Sequence, residues 1–364
     1  CTANLTNLVS NRNVIINGDP KISQRATTAG SITAGGWYTV DRWYVFMTSA
    51  GTWAMYQDAD IPSGYGFSKS VSMDVTTANT SLSAGSQTML TYFAEGQDVQ
   101  RFCKGTSNAK KFALSFWVKC GKTGTYVVEL FDHDNSRHIC KTYSISSANT
   151  WEQKKLVFDN ETSNAFGNDN GKSLEVNFWL VAGSTYTSGT LATSWAASSN
   201  GNRAVGQVNV ADSTSNKFFL TGVQLETGDY NSTFEHRPYS YELARCQRYF
   251  YQILDGTRDG TGNPGMPFTW WSSSDCRALV TFPTTMRTKA SSMTVVQANS
   301  GSNDWKFVGT GSSSPVALDC DAIEGNENFA LLAFYSVSPT GTAGYAGWVT
   351  ADDAANKIGV SAEL

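Results

Sequence analysis

The stretch from Lys217 to Tyr251, KFFLTGVQLETGDYNSTFEHRPYSYELARCQRYFY, decides how the chain is divided. Its first part predicts a buried strand from Phe218 to Leu225, followed by a turn at Gly228. An extended arm then crosses Pro238, because a proline keeps the residue before it extended and a helix can begin only afterwards. We expect Ser240 to cap that helix, since a serine side chain accepts hydrogen bonds from the first free backbone N–H groups. The stretch therefore marks a boundary between two parts of the chain.

The helix is predicted to span residues 239–252 and to join two domains. One face carries Leu243, Cys246 and Phe250 at helical spacing, and we expect this face to pack against the second domain or a neighbouring chain. Arginines lie in the arm and beside this face. The positions predicted to form the joint or an interface are Arg237, Leu243, Arg245, Cys246, Arg248 and Phe250.

Residues 13–238 carry short apolar segments at regular intervals, a pattern typical of a β-sandwich. In KFALSFWVK (111–119) every second residue from Phe112 to Val118 is large and apolar, which predicts one face of a strand turned to the core. We predict a jelly-roll-like sandwich here, after a lead-in at residues 1–12.

Residues 253–364 begin with a glycine-rich connection at 255–265 and continue with eight short strand candidates. Such close spacing of strands again indicates a β-sandwich. The predicted fold class is therefore all-β, with two jelly-roll-like β-sandwich domains joined by one short α-helix.

Composition excludes several classes of partner. Charged residues make up 16% of the 364 residues, below the roughly 25% that is usual in soluble domains. The 27 basic and 31 acidic residues give a net charge of −4 without a block of like charge, which argues against nucleic acid or an anionic membrane surface as a partner. No apolar run reaches the roughly 18 residues of a membrane span, so we expect no membrane insertion.

The seven cysteines are widely spread, and we favour free thiols over disulfides or a zinc site.

No set of catalytic residues stands out. The chain has three histidines and lacks the nucleophile elbow, the phosphate-binding loop and the HExxH motif. Asp132 and Asp134, in FDHDNSRH (131–138), are weak candidates for calcium, but aspartate and asparagine are also usual in tight turns, and we favour the turn. We therefore expect no enzyme activity, no cofactor and no metal.

Aromatic side chains are the residues left to contact a ligand, with 11 Trp and 15 Tyr in the chain. Trp195 lies in a long polar loop, and we favour a loop anchor over a sugar-stacking platform. Trp270 and Trp271 are adjacent in a predicted strand, so at most one of them faces the core, and for the other we favour a subunit contact. The glycan-binding candidates outside clear core positions are Trp37, Tyr38, Trp195, Trp270, Trp271 and Tyr345.

Several motifs together resemble those of bacteriophage virion proteins, chiefly tail-fibre and appendage proteins of marine podoviruses. These are GVQLE (222–226), FEHRPY (234–239) and ELARCQRY (242–249), with NGD (17–19), QR (24–25) and DRW (41–43) near the start and TFPTTMR (281–287) later. Ser232, Thr233 and Ser240 depart from the residues usual in that family. The resemblance implies a structural, non-enzymatic virion protein that is assembled in the host cytoplasm as a homotrimer and contacts other tail or capsid proteins. Because the chain starts at Cys1, we also expect a further N-terminal segment, which in fibre-like proteins is often the attachment piece.

Residues 13–235 resemble a second family through the succession FALSFWVK (112–119), LEVNFWLV (174–181) and FFLTGVQLETG (218–228). This succession is similar to that of the jelly-roll carbohydrate-binding modules attached to glycanases. The similarity implies a glycan as ligand, and for a phage protein the host cell surface would supply it.

Taken together, the sequence indicates a tail-fibre or appendage subunit that presents a surface for host glycan. A capsid decoration or head-fibre protein would use the same domains for assembly alone. A glycan-binding module of a polysaccharide-degrading enzyme is a more distant alternative.

Overall fold

A computed structural model describes residues 11–254, 266–298, 305–309, 317–335, 341–351 and 357–364. The chain divides into two compact units, the first ending at Glu242 and the second running from Leu243 to Glu363. Residues 1–10 of the predicted lead-in and the glycine-rich connection at 255–265 lie outside the described residues. Within those residues, no helix is both long and apolar enough to cross a membrane.

The first unit is a sandwich of two antiparallel sheets. The first sheet has the strand order β1-β4-β5-β13-β7-β10, and the second has the order β12-β9-β8-β11-β6-β3-β2. Two one-turn helices, α1 (Gly96–Val99) and α2 (Ser184–Thr187), lie in the connections. The strands are β1 (Thr28–Ile32), β2 (Gly36–Trp37), β3 (Trp43–Thr48), β4 (Thr52–Asp58), β5 (Ser70–Thr77), β6 (Gln87–Glu95), β7 (Phe112–Cys120), β8 (Gly124–Asp132), β9 (Arg137–Ile145), β10 (Glu152–Phe158), β11 (Lys172–Ala182), β12 (Ala196–Ala197) and β13 (Lys217–Thr227).

The core of this unit lies between the two sheets and is rich in aromatic rings. Phe116 of β7 meets Phe178 of β11 and Tyr143 of β9, each with 5.0 Å between ring centroids. Each fully buried large side chain contributes about 1.5–3 kcal/mol to folding. The all-β class and the jelly-roll-like sandwich predicted from the alternation in β7 are confirmed.

The TGVQLE part of β13 contains a bulge that only glycine can occupy. The register with β7 shifts between Thr221 and Gln224, and Gly222 has a φ of +61°. A Cβ at Gly222 would lie 2.5 Å from Cζ of Phe67, so a side chain there meets both backbone strain and a steric clash.

The NGD turn near the start of the chain packs directly on this bulge. The backbone N–H of Val223 donates to the carbonyl of Gly18 at 2.8 Å, and the N–H of Val14 donates to Leu225 at 2.9 Å. A Cβ at Gly18 would lie 2.1 Å from the oxygen of Val223. The two motifs are therefore a single packed feature of the first unit.

The FEHRPY arm clamps the same N-terminal segment. Arg237 is buried and donates to the carbonyl oxygens of Asn13 and Ile15, the latter at 3.1 Å. Glu235 accepts from the backbone N–H of Asn13 at 2.9 Å, and Glu242 accepts from that of Asn17. Arg237 was predicted at the joint or an interface; the contacts described here are internal to the first unit, and a joint role for it stays a prediction.

The helix after the arm, α3 (Tyr239–Gln247), is shorter than predicted. It begins one residue after Pro238, as the proline requires, so Ser240 lies in its first turn. Phe250 was predicted on the helical face but begins a strand, where it pairs with Ser361. The run FYQIL is rich in aromatic and branched residues, and the pairing of this run with the last strand prevails over the helical spacing.

The remaining joint candidates have different environments. Leu243 and Arg245 are half-buried, and Cys246 is buried. Arg248 belongs to the second unit, where its guanidinium donates to the carbonyl of Thr285 at 3.3 Å. A joint role for these residues stays a prediction.

The described strands of the second unit form a closed barrel and a small sheet. The barrel has the order β15-β16-β20-β19-β18-β21, and the three-stranded sheet has the order β14-β22-β17. The second unit is therefore all-β, as predicted, and its described strands form a barrel and a small sheet where the sequence predicted a β-sandwich. The strands are β14 (Phe250–Leu254), β15 (Met266–Trp270), β16 (Asp275–Thr281), β17 (Thr294–Ala298), β18 (Trp305–Gly309), β19 (Ala317–Gly325), β20 (Phe329–Tyr335), β21 (Ala346–Ala351) and β22 (Lys357–Ser361).

Candidate functional site

The outer face of the second sheet of the first unit carries a cluster of aromatic rings. Alternation along β3 turns Trp43, Val45 and Met47 into the core and leaves Tyr44 and Phe46 half-buried on the outside. Trp37 of β2 pairs with Tyr44, and their ring centroids are 5.1 Å apart. The aromatic cluster comprises Trp37, Tyr44, Phe46 and Phe93, with Tyr44 and Phe46 4.7 Å apart and Trp37 and Phe93 5.7 Å apart.

A pair of glycines lets the rings of Tyr38 and Tyr44 lie against the backbone beside this cluster. A Cβ at Gly36 would lie 3.0 Å from the Tyr38 ring, and one at Gly35 would lie 2.8 Å from the hydroxyl of Tyr44. Burial, and to a smaller degree Tyr44, raises the pKa of Tyr38, and burial raises the pKa of Tyr44. Both phenols therefore remain protonated at neutral pH, and that of Tyr38 donates its hydrogen to the carbonyl of Ala34 at 2.7 Å.

A row of polar side chains continues from the cluster across β6 and β11. The hydroxyl of Thr91 donates to Oδ1 of Asn177 at 2.7 Å, and Nδ2 of Asn177 donates to Glu175 at 3.1 Å. Lys172 lies 3.2 Å from Glu175 and 4.6 Å from the centre of the Phe93 ring. This polar row therefore adjoins the aromatic cluster directly.

Glu175 remains ionised within this row. Burial alone would raise its pKa, but the hydrogen bond and charge of His133, together with Lys172, hold the pKa below its ordinary value. His133 and Lys172 are each about 29% exposed in their side chains. The oxygens of Glu175 are already paired with His133, Lys172 and Asn177, so this buried carboxylate holds two side chains that solvent reaches.

The loop after β11 covers the far end of the same face. Tyr186 of this loop packs on Trp179 with 5.2 Å between ring centroids. The Arg203 guanidinium lies over Trp179 and Phe131 and forms two hydrogen bonds with Glu129, at 2.9 and 2.8 Å. Beyond this loop the aromatic cluster is partly exposed at Trp37, Tyr44 and Phe46, while Thr91, Asn177 and Glu175 of the polar row are buried beneath the surface.

Glu129 also belongs to a group that could in principle hold a metal ion. Ligand atoms of Glu129, His138 and Cys140 lie within 4.8 Å of one another and are buried. However, Glu129 already accepts from Arg203 and from His138 Nδ1 at 2.8 Å, and Asn177 donates to it at 3.2 Å. The arginine supplies the positive charge that an ion would otherwise bring.

Of the predicted glycan candidates, Trp37 and Tyr38 lie at the aromatic cluster. Trp195 is half-buried, and its Nε1 donates to the carbonyl of Asp159 at 2.8 Å while its ring lies 5.7 Å from that of Phe112. These contacts are those of a loop anchor.

The other three candidates lie in the second unit. Trp270 is 1% exposed and belongs to the core of that unit, so its prediction as a ligand contact is wrong. Trp271 is 67% exposed, with the Arg277 guanidinium 4.7 Å from its ring centre, and Tyr345 is also exposed. Trp271 lines an open groove of about 800 Å³ on the barrel, together with Leu279, Leu331 and Trp348.

The candidate calcium ligands have other partners. Asp132 lies 2.5 Å from Nζ of Lys104 and also accepts from Asn135, and Asp134 accepts from the backbone N–H of Gly167 at 2.8 Å. A cation does lie at Asp132, but it is the ammonium of a lysine 28 residues earlier in the chain. The sequence offered no sign of this pairing because the two residues are distant along the chain.

The residues that sequence reasoning missed are Tyr44, Phe46, Phe93, Glu175 and Asn177. The signal was present in WYVFMT (43–48), where the positions turned away from the core are aromatic. An outward row of aromatic residues on a sandwich strand is a sign of a binding face.

Compared by sequence, the chain matches no family model and no curated protein. Among solved structures, it is similar to the enzymatically active domain of tailspike protein 4 of bacteriophage CBA120, with 15% identity and a TM-score of 0.32 over 59% of this chain and 21% of that one. A CBM4 structure matches with 8% identity and a TM-score of 0.30, over 58% of this chain and 97% of that one. TmCBM61, solved with β-1,4-galactotriose, matches with 9% identity and a TM-score of 0.31, over 59% and 99%. Likenesses this low carry no argument about what this chain binds.

Proposed function

We propose that the protein is a bacteriophage tail-fibre or appendage subunit and that the outer face of its second sheet binds a glycan of the host surface. The observation that supports a glycan ligand is the set of partly exposed rings of Trp37, Tyr44 and Phe46, which lies beside the solvent-accessible ammonium of Lys172. Aromatic faces accept the C–H side of a sugar ring, and a few placed polar groups orient its hydroxyls. The virion role is supported by the sequence resemblance to phage tail-fibre proteins.

Binding would involve stacking and hydrogen bonds rather than bond cleavage. The protonated phenol of Tyr44 can donate a hydrogen bond, and so can the ammonium of Lys172, which solvent reaches. Charge-assisted hydrogen bonds are stronger than neutral ones, so Lys172, held in place by the buried Glu175, would fix the orientation of a hydroxyl next to the stacked ring. The ligand class is a neutral or weakly charged oligosaccharide.

The purified chain, tested on immobilised host polysaccharide, should bind it, and Trp37→Ala and Tyr44→Ala should weaken binding. One stacked aromatic ring contributes about 1 kcal/mol or more, which corresponds to a loss of roughly fivefold or more in affinity. Tyr230→Ala and Tyr65→Ala are matched controls, because both remove an exposed ring outside this face and outside the groove of the second unit. Unchanged thermal unfolding of each variant shows that the fold is retained.

Equal binding by all four variants would place the glycan elsewhere. Failure of the wild-type chain to bind any host polysaccharide, combined with binding to purified capsids, would favour the decoration or head-fibre function. Release of reducing sugar by the protein alone would show that it is an enzyme.

An assembly function is a second candidate, and the groove of the second unit favours it. Trp271, Leu279 and Trp348 are each more than half exposed there, and exposed apolar surface of this kind is typical of protein contacts. We infer a homo-oligomer, with the trimer as the form that the phage resemblance implies, located in the virion beside other tail or capsid proteins.

A further inference from the structure

Lys104 is a fully buried amine held between two carboxyl groups of the first unit. Its Nζ lies 2.5 Å from Oδ2 of Asp132 and 2.8 Å from Oε2 of Glu161. The side chains of Lys104 and Asp132 are 0% exposed and that of Glu161 is 6% exposed. Lysine, aspartate and glutamate are among the residues least often buried to this extent.

The surroundings of this triad exclude water. The ammonium lies 4.9 Å from the ring centres of both Phe166 and Trp195. The indole of Trp195 is fixed in turn by its hydrogen bond to the carbonyl of Asp159. The amine and its two carboxyl neighbours are therefore enclosed by aromatic walls.

We propose that Lys104 and Asp132 join in an intramolecular amide bond, formed within the folded chain with Glu161 as the proton carrier. In water, an amine and a carboxylic acid remain as ions because both charges are hydrated. Burial removes that hydration and penalises the separated charges. Condensation replaces two buried charges with one neutral amide and releases one water molecule.

The reaction balances without any other reagent. Oε2 of Glu161 takes a proton from the ammonium of Lys104, which frees the lone pair of Nζ. Nζ then forms a bond with Cγ of Asp132, and one C–O bond of that carboxyl group breaks. Glu161 passes protons from the nitrogen to the departing oxygen, so that the ammonium loses two protons in total and the oxygen leaves as water.

The fold holds each participant in position for this step. Asp132 is fixed by the side-chain amide of Asn135 at 2.9 Å and by its backbone N–H at 3.1 Å. Arg137 lies 2.7 Å from the other oxygen of Glu161, which directs Oε2 at the amine. Reacting groups held in such contact have an effective concentration of about 10⁵–10⁸ M.

The test is the intact mass of the purified, denatured chain. The wild-type chain should be lighter than its sequence by the mass of one water, and digestion should give one linked pair of peptides containing Lys104 and Asp132. Lys104→Arg and Glu161→Gln should have the full sequence mass, because the first lacks the amine and the second cannot accept the proton. Lys217→Arg, in an ion pair with Asp74 of the same unit, should still lack one water.

A wild-type chain at its full sequence mass would overturn the proposal. So would a loss of water that persists in Lys104→Arg or that maps to peptides without Lys104. Mass and peptide map of the wild-type chain decide the question even where a variant fails to fold.

Discussion

At the scale of single residues, Glu129 shows how one carboxylate supports the outer side of the second sheet. Its side chain is fully buried, and it accepts hydrogen bonds from Arg203, His138 and Asn177. Asn177 belongs to the polar row and Arg203 belongs to the covering loop, so this carboxylate connects the polar row to the loop. The carboxyl group of Glu129 stabilises the fold through these contacts only while it is ionised.

The stability of the first unit should therefore depend on pH through Glu129. Burial alone would raise its pKa, but Arg203 and His138 lower it from the usual 4.5 to about 2. A carboxyl group with a depressed pKa in the folded state stabilises above its unfolded pKa, and this stabilisation is lost as the pH falls from about 4.5 towards 2. Glu129→Gln should lower the free energy of unfolding in urea by roughly 3–5 kcal/mol at pH 7, since it leaves Arg203 without its partner.

The difference between wild type and Glu129→Gln should narrow as the pH falls through this range. Asp159→Asn is the control, because the Asp159 side chain is 60% exposed in its pair with Lys111 and such surface changes are usually within about 0.5 kcal/mol. A gap between wild type and Glu129→Gln that is the same at pH 7 and pH 3 would contradict this account.

At the scale of elements, the NGD turn and the ring of Phe67 both pack against the bulge in β13. Gly222→Ala should destabilise the first unit by about 2–4 kcal/mol, from the left-handed conformation and the clash together. Urea denaturation measures the change. Gly85→Ala is the control, because a Cβ at Gly85 meets nothing within 4 Å.

Replacing Phe67 by the smaller leucine tests whether the clash with its ring causes this destabilisation. In the double variant Gly222→Ala with Phe67→Leu, the clash should be relieved and the two changes should destabilise by less than their sum. Strict additivity would show that the Cβ of residue 222 does not meet Phe67.

The elements also show which parts of the structure the sequence could predict. The alternation in β7 predicted its core face because a strand has a period of two, and Pro238 set the start of α3 because its ring excludes an earlier helix. The end of α3 was not predictable, since Phe250 fits the helical spacing equally well and only its pairing with β22, about 110 residues later, decides the matter. The same holds for the candidate site. Trp37 could be selected from the sequence as an aromatic residue outside the core, whereas Glu175 and Asn177 join the site only because β6, β8 and β11 become neighbours in the fold.

At the scale of the whole molecule, the chain combines a partly exposed aromatic cluster in one unit with an apolar groove in the other. Leu279 is 59% exposed on β16, and its cross-strand partner Leu331 lines the same groove. If this surface joins copies of the chain, Leu279→Asp should lower the mass in solution to that of one chain, because an interface core does not tolerate an unpaired charge.

Light scattering coupled to size exclusion measures that mass. Thr294→Asp is the matched control, because Thr294 is an exposed polar residue on β17 of the same unit and does not line the groove. An oligomer of unchanged mass in Leu279→Asp would move the subunit contact away from the groove.

The clamp formed by Arg237, Glu235 and Glu242 has a consequence for how the protein is made. Asn13 is synthesised well before Glu235, whose carboxylate accepts its backbone N–H, because Glu235 lies 222 residues further along the chain. At roughly 5–20 residues per second, the N-terminal segment waits more than ten seconds for its partner. The first unit therefore closes only when its last residues have been synthesised, and a chain that stops before β13 leaves the NGD turn without the bulge on which it packs.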